Sequence, residues 1–198
     1  MIFSPSIYTQ DQIEKLGNAV IFLCERIKPL TKTKLLKLIY LIEESSVKKF
    51  GIPFFNIRFD AWRLGPVARD LYVELTEETA LLERFIEKTT KNDIVNIVAK
   101  KSFSDDQFSD NEVALLEQIV QKFKYSSADD LIELTHREHS PWHVTAEENG
   151  LLVAFENRTA TASNVEIDLS KILAGDEEKL KRYKNHQDFI TETRSLKR

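Results

Sequence analysis

Apolar residues recur at helical spacing along most of this chain, and the exceptions are as informative as the rule. Ile13, Leu16, Val20, Leu23, Cys24 and Ile27 form one stripe at intervals of three and four. Thr9-Gln10-Asp11-Gln12 precedes it as a capping box, with Thr9 as cap and Gln12 reaching back, and Pro29 closes it. The run Lys34 to Ile42 is denser. Leu35, Leu38, Ile39 and Ile42 make one face, while Leu36, Tyr40 and Val47 make another. A helix apolar on more than one side packs against neighbours around most of its girth, so a central helix is predicted over about residues 33–49. Gly51 serves as its C-terminal cap, and Pro53 forbids continuation.

The period then changes to two. Phe55, Ile57, Phe59 and Ala61 fall on one side of an extended chain, with Asn56, Arg58, Asp60 and Trp62 on the other. Gly65-Pro66 turns this segment into a helix whose inner face is Val67, Leu71 and Leu75, with Pro66 in the first turn. After the acidic link Thr76-Glu77-Glu78, Leu81, Leu82, Phe85 and Ile86 predict a brief helix. Ile94-Val95-Asn96-Ile97-Val98-Ala99 is β-branched and short, which predicts a strand. Pairing it with the earlier extended run gives a small antiparallel sheet, about 54–62 with 94–102.

Helical signals return afterwards. Ser109-Asp110-Asn111-Glu112 is a capping box ahead of Val113, Leu116, Val120 and Phe123. Ser127-Ala128-Asp129-Asp130 opens a helix running towards His136 and stopped by Ser140-Pro141. Asn149-Gly150 reads as a turn, and 151–155 fits helix or strand equally. Ser163-Asn164-Val165-Glu166 caps a helix through Leu173, ended by Gly175. From Asp176 to Leu196 a mostly charged helix carries a thin apolar seam that includes Leu180, Tyr183 and Ile190. The expected fold class is α+β, predominantly α-helical. One domain covers residues 1–175, and a charged C-terminal helix, 176–198, packs on it or extends from it.

Composition narrows the function classes. A chain of 198 residues can bury a sizeable core without disulfides or metal. Its net charge of -4 and pI of about 5.7 disfavour nucleic-acid binding by the surface at large. A single cysteine, Cys24, excludes an internal disulfide and falls among helix-core positions. The opening MIFSPSIYTQ lacks the basic start and apolar run of a secretory signal, and no stretch reaches the length of apolar sequence that spans a membrane. A reducing cytoplasm is the expected location.

Candidate chemistry is sparse. His136, His139 and His143, at intervals of three and four, would share a helical face as metal ligands do, but Pro141 interrupts that face. A hydrolase reading would use His136, His139 and Glu133 with a metal; the structural reading has His136 bonding backbone near a helix end. No G-x-S-x-G elbow or phosphate-binding glycine loop is present. Lys32, Lys34 and Lys37 at the start of the central helix oppose its dipole, which hints at binding and leaves a DNA-binding regulator as an alternative. Trp62, Arg63, Arg69 and Tyr72 lie in one short stretch and are residue types that dominate protein interfaces. They form the candidate partner-binding set.

Three blocks, in order, carry a family resemblance: Lys34-Leu35-Leu36-Lys37-Leu38-Ile39-Tyr40; Phe59 and Ala61-Trp62 with Gly65-Pro66-Val67 and Leu71-Tyr72; and Leu134-Thr135-His136 with Pro141-Trp142. The chain resembles the SocA-like, or Panacea, domain family, also described as phage-associated. The resemblance implies an antitoxin of a bacterial or prophage two-gene system rather than an enzyme, with no cofactor. The implied partner is a protein toxin encoded nearby, which the antitoxin binds and blocks or delivers to a AAA+ protease as an adaptor. It also implies that Tyr40, Phe59, Ala61, Gly65, Pro66, His136, Pro141 and Trp142 maintain the family fold. No cysteine pairs are available for the zinc-binding domain that some relatives carry.

Overall fold

The computed structural model describes residues 8–77 and 79–196. The first seven residues of the opening stretch, Glu78 of the acidic link and the last two residues of the 176–198 segment lie outside them. Helix α1, Gln10–Arg26, opens on the Thr9–Gln12 capping box. Helix α2, Lys32–Phe50, is capped by Thr31 and ends at Gly51, whose left-handed φ of 69° a glycine adopts without a Cβ penalty. Leu35, Leu38, Ile39, Ile42 and Val47 of α2 are fully buried, as its two apolar faces require.

The two predicted strand regions exist but do not pair with one another. Strand β1, Asp60–Trp62, pairs antiparallel with β2, Gly65–Val67, across the two-residue turn Arg63-Leu64. Strand β3, Ile86–Lys91, pairs with β4, Ile94–Ala99, across Asn92-Asp93. The expected sheet of 54–62 with 94–102 is therefore two separate hairpins. The Asn92-Asp93 turn supplies the positive φ, 50° and 62°, that a two-residue hairpin needs, while the first hairpin carries its positive φ, 96°, at Gly65, the residue that opens β2. Each local turn satisfies a strand sooner than a distant partner can. Pro66 accordingly lies in β2, directly opposite Ala61, and not in the first turn of a helix. Helix α3 begins later, at Arg69, and runs to Thr76. Ile86 begins a strand where a brief helix was expected.

Helix α4, Asp110–Phe123, starts at the predicted capping box, and α5, Ala128–His136, starts where Ser127 was expected to open it, with Ser127 and Asp130 forming a capping box of their own. Pro141 occupies the first turn of α6, Pro141–Glu148, capped by the Ser140 hydroxyl. Helix α7, Leu151–Glu156, resolves the helix-or-strand ambiguity. The predicted helix from Ser163 is shorter than expected, a 3-10 turn at Leu169–Leu173. Its first half instead lies extended along the free edge of β1, where Ala61 N donates to Val165 O and Ile167 N donates to Phe59 O. Helix α8, Glu177–Leu196, follows.

Helix α2 runs through the centre, contacting α4, α5, β2 and the 3-10 turn, while α1 packs on the β3–β4 hairpin. Cys24 is buried, and burial pushes its thiol up to about 12, so it is a core residue with no reactive thiolate at neutral pH. Among the described residues no helix is long and apolar enough to cross a membrane.

Candidate functional site

The three sequence blocks converge on the β1–β2 turn. From α2, the Lys37 side chain is 2% exposed and its Nζ donates to the Pro66 carbonyl at 2.9 Å. From α6, Trp142 Nε1 donates to the Trp62 carbonyl at 2.9 Å. His136, at the end of α5, stacks on Trp142 with ring centroids 3.8 Å apart and planes inclined by 11°. Behind the turn, Tyr40 meets Phe59 edge to face at 5.2 Å. The backbone of residues 62–66 is thus held by side chains from α2 and α6, with α5 packed against the same point. Burying those carbonyls without donors would cost roughly 1–3 kcal/mol each.

Electrostatics follows from this burial. Lys37 pairs with no carboxylate among the described residues, and burial pushes its amine down to about 7. Burial, with Lys37 and then His143 nearby, holds His136 down to about 4, so its imidazole is neutral at physiological pH. Two further buried carboxylates organise the surrounding loops. Glu43 of α2 accepts from Phe54 N, Phe55 N and Asn56 N at 2.7–2.9 Å. Burial nevertheless pushes its carboxyl up to about 7, against those hydrogen bonds. Glu74 of α3 accepts from the amides of Ala80, Leu81 and Leu82. Neither role was visible in the sequence, where both glutamates resemble solvated helix residues.

The histidine cluster does not form the shared face that a metal site needs. Helix α5 ends at His136, His139 is exposed with φ 61°, and His143 belongs to α6. Glu133 is exposed. Among the described residues no three His, Cys, Asp or Glu side chains gather around a point where a cation could sit. The lysine patch at the start of α2 is likewise not a surface: Lys37 is buried, and Lys34, 7% exposed, donates to the Lys124 carbonyl at 2.9 Å.

Of the four candidate partner-binding residues, the structure brings three together. Trp62 and Tyr72 meet edge to face at 4.9 Å and, with Arg63 and Leu64, wall a groove of about 280 Å³. Trp62 Nε1 is anchored on the Ser163 carbonyl at 3.2 Å. Leu64, at the tip of the turn, is 47% exposed. Arg63 forms no ion pair with a described residue, and its Nε is buried without a hydrogen-bond partner. Lys32 crosses the Tyr72 ring at 4.8 Å. The fourth candidate faces elsewhere. Arg69 pairs with the buried Asp60 at 3.0 Å, which Arg58 also contacts at 2.7 Å, and lines a separate depression with Asp70 and Asn164. Arg69 is tied into the scaffold. Leu64 was missed, although an apolar residue between Arg63 and Gly65 at a turn tip is a readable signal.

The family model described as antitoxin SocA-like, Panacea domain, matches residues 35–143, more than half of the chain and a span that holds the three converging blocks from Leu35 onwards. No curated protein and no solved structure matches the chain.

Proposed function

The chain belongs to the SocA-like antitoxins of the Panacea-domain family, and from that membership we propose that it neutralises a protein toxin by binding it at the Trp62–Tyr72 groove. One observation carries the choice of surface. The family's own motif residues build a buried platform under the β1–β2 turn, and Trp62, Arg63 and Leu64 at that turn line the groove together with Tyr72 of α3. Pre-ordered aromatic and Arg side chains lose little entropy on docking, which is why they concentrate binding energy. Capture alone would block a toxin. Capture followed by hand-over to a AAA+ protease would remove it, and both routes require the same contact.

Expressing the neighbouring gene alone and together with this chain tests the reading. The neighbour arrests growth alone and is harmless beside the wild-type protein. Leu64→Asp, at an exposed position, leaves the circular dichroism spectrum and melting temperature near wild type while binding weakens at least tenfold and growth arrest returns. Retained neutralisation by Leu64→Asp would place the toxin elsewhere. Toxin half-life in cells separates blocking from delivery, since delivery shortens it only while the protease is present.

A further inference from the structure

The groove has an unusual charge. Its lining includes Lys32, Lys37 and Arg63 and, among the described residues, no aspartate or glutamate, on a chain whose net charge is -4. Lys32 and Arg63 are the charged groups and form no ion pair with a described residue, whereas the buried Lys37, its amine pushed down to about 7, lies beneath them as a donor to backbone. Lys32 Nζ reaches only the Thr76 hydroxyl at 3.3 Å and the Tyr72 ring, Lys37 Nζ the Pro66 carbonyl, and Arg63 Nε nothing. The groove between α2 and α4 shows what compensation looks like elsewhere on the surface. Lys48, Lys49, Lys122 and Arg137 gather there as well, but Glu44 lies among them and pairs with Arg137 at 3.3 Å.

Uncompensated cations in a concave site with low-dielectric aromatic walls focus a positive potential on whatever enters. Guanidinium is the cation best matched to a carboxylate, which it grips with two parallel hydrogen bonds. The volume, about 280 Å³, holds one or two side chains. A nucleic-acid backbone instead needs a long basic stripe.

Resting on the antitoxin reading above, we propose that this groove recognises an acidic side chain of the bound protein. An Asp or Glu carboxylate meets Arg63 within the field of Lys32, and the apolar residue beside it packs on Trp62, Tyr72 and Leu64. The toxin's recognition element is therefore an acidic residue next to an apolar one on an exposed segment.

The chain has two tryptophans, so its two indole N–H signals in a nitrogen-15 spectrum report the groove (Trp62) and the buried platform (Trp142) separately. The probes are N-acetyl-Asp-Leu-amide, N-acetyl-Asn-Leu-amide and a short oligothymidylate, each titrated into the full chain. The expected result is a saturable shift of the Trp62 signal with the Asp peptide. The Asn peptide binds at least fivefold more weakly, and the difference disappears in Arg63→Gln. Equal response to both peptides, no response, or a stronger response to the oligothymidylate would overturn the proposal. Neutralisation by variants keeps this distinct from the antitoxin reading. Should Leu64→Asp abolish neutralisation while Arg63→Gln preserves it, the groove stands as the toxin seat and the acidic partner falls. If neither substitution matters, both fall.

Discussion

A Cβ at residue 65 would lie 2.7 Å from Thr135 Oγ1 and 2.9 Å from Lys37 Nζ, on a backbone with φ of 96°. Thr135 and Lys37 are both 2% exposed, so neither can step aside cheaply. Gly65→Ala combines backbone strain with overpacking and is expected to destabilise the fold by about 3 kcal/mol. The midpoint of urea unfolding measures this, and a change under 1 kcal/mol would mean that the turn relaxes without disturbing its platform. His136 allows a pH experiment at the same place. Its native imidazole titrates near 4 against 6.5 for an unperturbed histidine, so the unfolded chain binds the proton first as pH falls. The stability it contributes is full above 6.5 and is lost as pH drops towards 4. Glu43, held near 7, acts in the opposite sense, costing stability as pH rises from 4.5 to 7. The informative quantity is therefore wild type minus His136→Asn. That difference is expected to shrink between pH 7 and pH 5, and a flat difference would mean that the imidazole titrates normally.

At the scale of elements, what could be read in advance was what neighbours in sequence decide. The capping boxes at Thr9, Ser109 and Ser127 each close a bond over three residues, and all three start helices where the sequence places them. Strand pairing was misassigned because an apolar strand does not encode its partner, whereas the turns at Gly65 and Asn92-Asp93 do, through backbone angles rather than hydropathy. The motif blocks were legible as an ordered set, but their meeting around one turn was not, since the contacts from Lys37 to Pro66 and from Trp62 to Trp142 span 29 and 80 positions. Glu43 and Glu74 were illegible for another reason. A buried carboxylate holding loop amides has the same letter as a solvated one. Removing such a carboxylate leaves several buried N–H groups without acceptors, so Glu74→Ala is expected to cost about 3 kcal/mol. Amide exchange at Ala80, Leu81 and Leu82 should accelerate more than tenfold, ahead of the α2 core. Uniform acceleration throughout would instead show that the loop unfolds only with the whole domain.

For the whole molecule, the question is whether the C-terminal helix belongs to the partner-binding machinery. Helix α8 packs beside the end of α2: Arg182 donates to the Phe50 carbonyl at 2.9 Å, Gln187 to Asn56 Oδ1 at 3.0 Å, and Leu180 and Tyr183 cover the core. A Cβ on Gly51 would approach the Lys179 carbonyl oxygen to 2.7 Å, so the contact is a close one. Yet none of its described residues lines the Trp62–Tyr72 groove. The two surfaces are separate, and a chain shortened to residues 1–176 distinguishes them. Losing the two core-covering side chains should lower stability by about 3 kcal/mol, seen as a fall in melting temperature. Neutralisation of the toxin should persist at a temperature where the shortened chain remains folded. Loss of neutralisation by a folded 1–176 chain would move the toxin seat to α8 and make the groove at the turn a feature of the scaffold, because stability and binding would then fail for different reasons at the same helix.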